Sequence, residues 1–137
     1  MVQELVEGDF YGITCVAHEG KMGMFFMYKT SRKYSLEGTP PVIFSVMDEV
    51  LLGQARDIIQ KLGWNGAINL DFLKDPGRDY VLLEVNPRFG GTLNFAYRMG
   101  IDLPRAYCQA AMGNVSLESM QPGRIKRCFA YFRLQGD

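Results

Sequence analysis

Two runs of alternating residues flank an Asp-Pro-Gly turn, and locally this leaves the chain little option but an antiparallel hairpin. In Ala67–Leu73, Ile68, Leu70 and Phe72 fall on one side and Ala67, Asn69 and Asp71 on the other. A period of two marks a strand with one buried face. Asp75-Pro76-Gly77 then reverses the chain. Pro presets the first central dihedral and Gly accepts the positive one. Tyr80–Asn86 alternates again, with Val81, Leu83 and Val85 facing one way and Tyr80, Leu82, Glu84 and Asn86 the other, until Pro87 ends the strand. Pairing Leu73 with Tyr80 puts Asp71 opposite Leu82 and diagonal to Glu84. Asp71, Glu84 and Asn86 are thereby expected on one face of the hairpin.

The rest of the chain reads as α+β, an antiparallel sheet with flanking helices. Val2–Val6, Ile13–Ala17 and Met24–Tyr28 read as strands, the last two joined by a turn at Gly20-Lys21. Polar residues, Gly38 and two prolines make residues 30–41 a loop. Met47, Val50, Leu51, Ala55, Ile58, Ile59 and Leu62 recur at helical spacing. Ser45 with Asp48 resembles a capping box, and Gly63 suits a left-handed C-terminal cap. A short helix is expected over Leu93–Met99, closed by Gly100. Another follows, capped by Asp102, with Pro104 in its first turn and its end near Gly113. The basic segment Arg124–Arg133 reads as a returning strand with a solvated edge. Because Met1 runs directly into a strand, the chain is expected to begin inside a larger fold.

Composition excludes several classes. Formal net charge is zero, which gives no bulk electrostatic case for nucleic acid or an anionic membrane. No apolar stretch is long enough to span a bilayer, and the N-terminus lacks the pattern of a signal peptide. The three cysteines, Cys15, Cys108 and Cys128, form no CxxC pair. They read as buried free thiols in a reducing cytoplasm. His18, the one histidine, reads as an exposed side chain near a turn, and Phe25, Phe26 and Tyr28 as core.

The chemistry concentrates at Asp71 and the Glu84-x-Asn86 pair. Residues two apart on a strand point the same way, so Glu84 and Asn86 present two oxygen ligands together. Hard cations such as magnesium take such oxygens, completed by substrate phosphates and water. Arg88 can extend toward the same place as a clamp on phosphate oxygens. Gly90-Gly91-Thr92 opens the next helix, where backbone N–H groups favour anions. A solvated hairpin face is the plain structural alternative. Against it stand the acids interrupting apolar strands and the Asn-Pro-Arg that follows at once.

These residues resemble a known family. Asn69-Leu70-Asp71-Phe72, Leu83-Glu84-Val85-Asn86-Pro87-Arg88-Phe89-Gly90-Gly91-Thr92 and Gly100-Ile101-Asp102-Leu103-Pro104 look like the C-terminal lobe of ATP-grasp enzymes. The branch they resemble includes the large subunit of carbamoyl phosphate synthetase, biotin carboxylase and carboxylate–amine ligases. Val2–Gly8 looks like the family's hinge strand, and the resemblance runs to about Gly113. It implies ATP between two lobes, with adenine on the backbone of Glu4, Leu5 and Val6. It also implies magnesium (or manganese) on Asp71, Glu84 and Asn86, and Arg88 on phosphate oxygens. Such enzymes phosphorylate a carboxylate, or bicarbonate, to an acylphosphate that a nucleophile then attacks. On this reading the chain is one partial domain, with a hinge strand at residues 1–8 and an extension at 114–137. Its partners are an absent N-terminal lobe and possible further copies of itself, and it is not expected to turn over ATP alone.

Two departures stand out. Many members bind ribose with a Glu shortly after the hinge glycine, but Phe10 occupies about that position here, with Asp9 beside it as a substitute. The family's other lobe, with its phosphate-binding lysine and lid, is not in this sequence. Lys29, Arg32 and Lys33 are candidates for phosphate or substrate contacts, and equally for solvated charges. The rival reading is a non-catalytic nucleotide-binding or interaction module derived from such an enzyme.

Overall fold

The run from Gly12 to Ala17 is buried without alternation because its strand lies inside the sheet, covered on both faces. The structure is a computed structural model that describes residues 4–30, 42–77, 79–113 and 130–132. Its elements are β1 (Asp9–His18), β2 (Lys21–Thr30), β3 (Val42–Ser45), α1 (Glu49–Leu62), β4 (Gly66–Lys74), β5 (Tyr80–Asn86), α2 (Leu93–Arg98), α3 (Leu103–Ala111) and β6 (Ala130–Phe132). The six strands form one sheet in the order β5-β4-β1-β2-β3-β6, every neighbouring pair antiparallel. The expected α+β architecture is present.

One face of the sheet carries α1. Leu51, Leu52, Ala55 and Ile59 pack there against Ile13, Cys15, Met27, Ile68, Leu70 and Phe72. Each large side chain so buried contributes about 1.5–3 kcal/mol. The other face carries α2 and α3, with Phe95, Ile101, Leu103 and Ala106 against Val16, Phe26 and Tyr28. Alternation along β1 sends Tyr11, Ile13 and Cys15 to the first face, and Phe10 and Val16 to the second.

Several expectations are corrected. Residues 4–7 carry no strand, and residues 1–3 lie outside the described residues. Asp9, the first residue of β1, pairs with Lys74, the last of β4, so the preceding backbone has run past its partner strand. Ser45 is not a cap: it is buried at the end of β3, and Asp48 itself caps α1 by accepting from the Val50 and Leu51 N–H groups. Gly63 does close that helix, at φ 56°. Of the apolar face expected for α1, Met47, Val50 and Leu62 are about half exposed, while Leu52 is buried. Cys15 is buried but Cys108 is exposed on α3, and Cys128 lies outside the described residues. So do residues 31–41 of the expected loop, and of the basic segment only Ala130–Phe132 is described, as β6. Among the described residues no helix is long and apolar enough to cross a membrane.

Candidate functional site

The hairpin of β4 and β5 is not a uniform ladder. Its register runs Lys74↔Tyr80, Leu73↔Val81 and Phe72↔Leu82, then slips, so that Asp71 pairs with Glu84, Leu70 with Val85 and Asn69 with Asn86. Leu83 is the extra residue of a β-bulge. The expected pairing of Leu73 with Tyr80 is therefore replaced, and Asp71 stands directly opposite Glu84 rather than diagonal to it.

The bulge has a physical reason. Tyr80 packs its ring on Phe72 and Tyr11 in the α1-side core and donates its hydroxyl to Asp48 at 2.7 Å. Under strict alternation Glu84 and Asn86 would share that face with Tyr80. The inserted residue re-aims them to the opposite face, where Asn69 and Asp71 point. Tyr80 and Leu82 thus do not share a face with Glu84, contrary to expectation.

A polar layer holds Asp71 in place. Oδ1 accepts from Asn69 Nδ2 at 2.9 Å and from the Tyr28 hydroxyl at 3.4 Å, and Oδ2 accepts from Asn86 Nδ2 at 3.1 Å. Asn69 in turn accepts from the Thr14 hydroxyl, and both of those side chains are buried. Arg88 donates to Asn86 Oδ1 at 3.4 Å and to the Phe89 carbonyl at 3.1 Å. Two glycines make room: a Cβ at Gly12 would fall on the Tyr28 ring, and one at Gly90 would sit 2.5 Å from Asn69 Oδ1. Burial raises the Asp71 carboxyl above its ordinary range. The Asn69 hydrogen bond works against that shift, and the Glu84 charge opposite adds to it.

The acids belong to the lining of a cleft of about 510 Å³, together with Leu5–Phe10, Leu73 and Leu83. The bulge lets two consecutive residues, Leu83 and Glu84, both line it. The structure thus brings Asp71, Glu84, Asn86 and Arg88 together and places Leu5 and Val6 on the same cleft. Glu4 lines an adjoining depression with Lys74, Asp75 and Pro76. Asp9 is also in the lining of this cleft, and its side chain is ion-paired with Lys29, whose ammonium also sits 5.3 Å from the Tyr11 ring centre. That pairing raises the Lys29 pKa. Lys29 is thus engaged by Asp9, and Arg32 and Lys33 lie outside the described residues. Sequence reasoning missed Thr14 and the hydroxyl of Tyr28.

The donor set fits a hard divalent cation. Among the described residues no group of three or more His, Cys, Asp or Glu side chains is gathered. Two carboxylates and an amide are nonetheless what magnesium or manganese takes when phosphate oxygens and water complete the shell. Like charges directly opposite across two strands are destabilising, and a cation between them relieves that repulsion.

Comparison with known proteins bears on the family and the fold. The family model described as "ATP-grasp in the biosynthetic pathway with Ter operon" matches residues 1–131. Among solved structures, the fold is similar to an L-amino acid ligase from Bacillus licheniformis, at TM-score 0.69 and 15% identity over 97% of this chain. It is also similar to a biotin carboxylase from Campylobacter jejuni, at TM-score 0.68 and 16% identity over 83% of this chain. A phosphoribosylglycinamide synthetase from Anaerococcus prevotii follows, at TM-score 0.62 and 18% identity over 80% of this chain. The chain spans 35%, 27% and 30% of those three proteins respectively. No curated protein sequence matches it. A family match over nearly the whole chain, together with this fold, shows that the chain belongs to the ATP-grasp superfamily.

Proposed function

We propose that this chain is the magnesium- and ATP-binding lobe of an ATP-dependent carbon–nitrogen ligase that activates a carboxylate, or bicarbonate, as an acylphosphate. The observation that supports it most is the direct opposition of Asp71 and Glu84 in the lining of a cleft that they share with Leu5–Phe10. A purine would lie in this cleft with its edge on the backbone of the Glu4–Val6 stretch, of which Leu5 and Val6 line the cleft and Glu4 the adjoining depression. Asp71, Glu84 and Asn86 would hold the metal. When bound, magnesium would neutralise charge on the phosphates and order the transferred group.

The remaining roles belong to side chains. Asn69 and Tyr28 fix Asp71 through Oδ1 and Asn86 through Oδ2, while Asp71 and Glu84 both line the cleft. For Asn86 to offer its carbonyl oxygen, Arg88 gives up its 3.4 Å bond and turns to phosphate oxygens as a planar, permanently charged clamp. A carbamoyl phosphate synthetase-like use of bicarbonate is the finer form of this reading. The low share of each relative spanned by this chain supports a second lobe, needed to exclude water and position the acceptor. The chain by itself then binds MgATP weakly and does not turn it over. Free Cys15 and Cys108 suit a cytoplasmic location.

The test is a screen of the full-length protein with ATP, magnesium and a panel of carboxylates plus bicarbonate, following ADP release and trapping acylphosphate with hydroxylamine. Carboxylate- or bicarbonate-dependent ADP release, lost in Glu84→Gln, is expected. Nucleotide binding with no acceptor-dependent ADP release from any member of the panel would favour the non-catalytic module instead.

A further inference from the structure

The hydrogen bonds around Asp71 run in one direction. Arg88 donates to Asn86 Oδ1 at 3.4 Å, and Asn86 Nδ2 donates in turn to Asp71 Oδ2 at 3.1 Å. Asn86 therefore shows Asp71 its NH2 group and shows Arg88 its carbonyl. A metal held by Asp71 needs the opposite, because an amide ligates a hard cation through oxygen and its NH2 group only donates. To supply that oxygen beside Asp71 the amide has to turn over. While Arg88 stays, the turn sets the NH2 group against the guanidinium, donor against donor. Asn86 is only 9% exposed, so water does little to relieve such a clash. Arg88 itself is exposed, and its other bond, at 3.1 Å, is to the carbonyl of the next residue, Phe89. Phosphate oxygens accept from both groups. They can draw Arg88 away and then receive the turned NH2 group.

We propose that Arg88 holds Asn86 in an orientation that refuses metal, so that a divalent cation joins Asp71 and Glu84 only together with a polyphosphate group that releases Arg88. This rests on the metal site proposed above and concerns its regulation. The arrangement keeps free magnesium from filling the site ahead of the nucleotide. By linkage, metal and polyphosphate each raise the other's affinity for the protein by the same factor.

The experiment is manganese titration of the full-length protein without nucleotide, followed by electron paramagnetic resonance, for wild type, Arg88→Met, Asn86→Ala and the double variant. Methionine keeps much of the length and removes every donor. Arg88→Met is expected to bind manganese about fivefold or more tightly than wild type, the scale of one hydrogen bond. Arg88 is also close enough to act on Asp71 through its charge. The double variant separates the two causes: once Asn86 is gone, Arg88→Met is expected to change affinity by less than about twofold. A gain that persists there is a field effect and overturns the inference, as does equal affinity of wild type and Arg88→Met. Where Asn86→Ala fails to fold, wild type and Arg88→Met are compared in about 1 M potassium chloride, which shortens the Debye length to about 3 Å. A ratio kept in that salt supports the inference, and a ratio near one overturns it. Uptake with ATP present tests the site itself. ATP-dependent uptake by wild type, beside either overturning result, leaves the metal site standing. No uptake by wild type or any variant, with or without ATP, removes the site and the inference with it.

Discussion

Replacing Gly90 with alanine should disable the site from behind, without touching an acid. The new Cβ would stand 2.5 Å from Asn69 Oδ1, 2.9 Å from Thr14 Oγ1 and 3.0 Å from Asn69 Cγ. Ordinary contact begins at 3.4 Å, so the Asn69 amide has to retreat by about 0.9 Å. It has nowhere easy to go, being 3% exposed, held by Thr14 and bonded to Asp71 Oδ1 at 2.9 Å. Overpacking of this kind costs about 1–3 kcal/mol. A buried amide pulled off its partners costs about 1–3 kcal/mol. The two costs overlap, since relieving one incurs the other, and about 2–4 kcal/mol is expected in total. At about 4 °C per kcal/mol for a domain of this size, Tm falls by about 8–16 °C. Gly91→Ala is the internal control, because nothing lies within 4 Å of its added Cβ. It should stay within about 0.5 kcal/mol of wild type. Urea and thermal unfolding of the three proteins measure this. Equal stabilities for Gly90→Ala and Gly91→Ala would refute the packing argument and the polar layer built on it.

Asp48→Ala should destabilise by about 1–2 kcal/mol in urea unfolding, because α1 loses its N-cap and the Tyr80 hydroxyl its acceptor. Arg88→Lys should lower ADP release by the full-length protein about tenfold or more with little change in Tm, since an ammonium does not reproduce a planar fork and Arg88 is exposed. The Asp71 carboxyl titrates above its unfolded value, chiefly through burial. Its contribution is therefore fully present below the ordinary carboxylate range and lost as pH rises through the raised pKa. In chelator, the stability difference between wild type and Asp71→Asn should drift against wild type across that window and flatten above it. A difference independent of pH would count against the strained acid pair.

Much of the site was legible in the sequence because alternation and turn chemistry are local. The buried Ile68, Leu70 and Phe72 and β5 at Tyr80–Asn86 follow from neighbouring residues. The turn between the strands forms for another reason than the one expected: Gly77 has no positive φ, and Asp75 Oδ1 instead accepts from its N–H at 2.8 Å. The bulge was not legible, since period-two reading assumes an unbroken ladder. The one available sign was a conflict: strict alternation puts Tyr80, an aromatic suited to the core, on the face of Glu84 and Asn86. The Tyr28 hydroxyl escaped notice because its ring reads as core, and it is core, 6% exposed. Only the pairing of β1 with both β2 and β4 sets Tyr28 beside Gly12, and Gly12 beside Asp71. The ion pair of Asp9 with Lys29 shows the same limit, since it forms across the pairing of β1 with β2 and no local pattern announces it.

The central claim is that Asp71, Glu84 and Asn86 hold the cation that accompanies a nucleoside triphosphate. Manganese uptake followed by electron paramagnetic resonance tests it most directly, on full-length wild-type and Glu84→Gln protein, with and without ATP. Because two carboxylates and an amide leave the shell incomplete until phosphate oxygens fill it, tight uptake by wild type should require ATP. Glu84→Gln should weaken it by tenfold or more while folding at least as well, since the opposed charge is gone, a gain of about 0.2–1 kcal/mol. Equal ATP-dependent manganese uptake by the two proteins would contradict the claim.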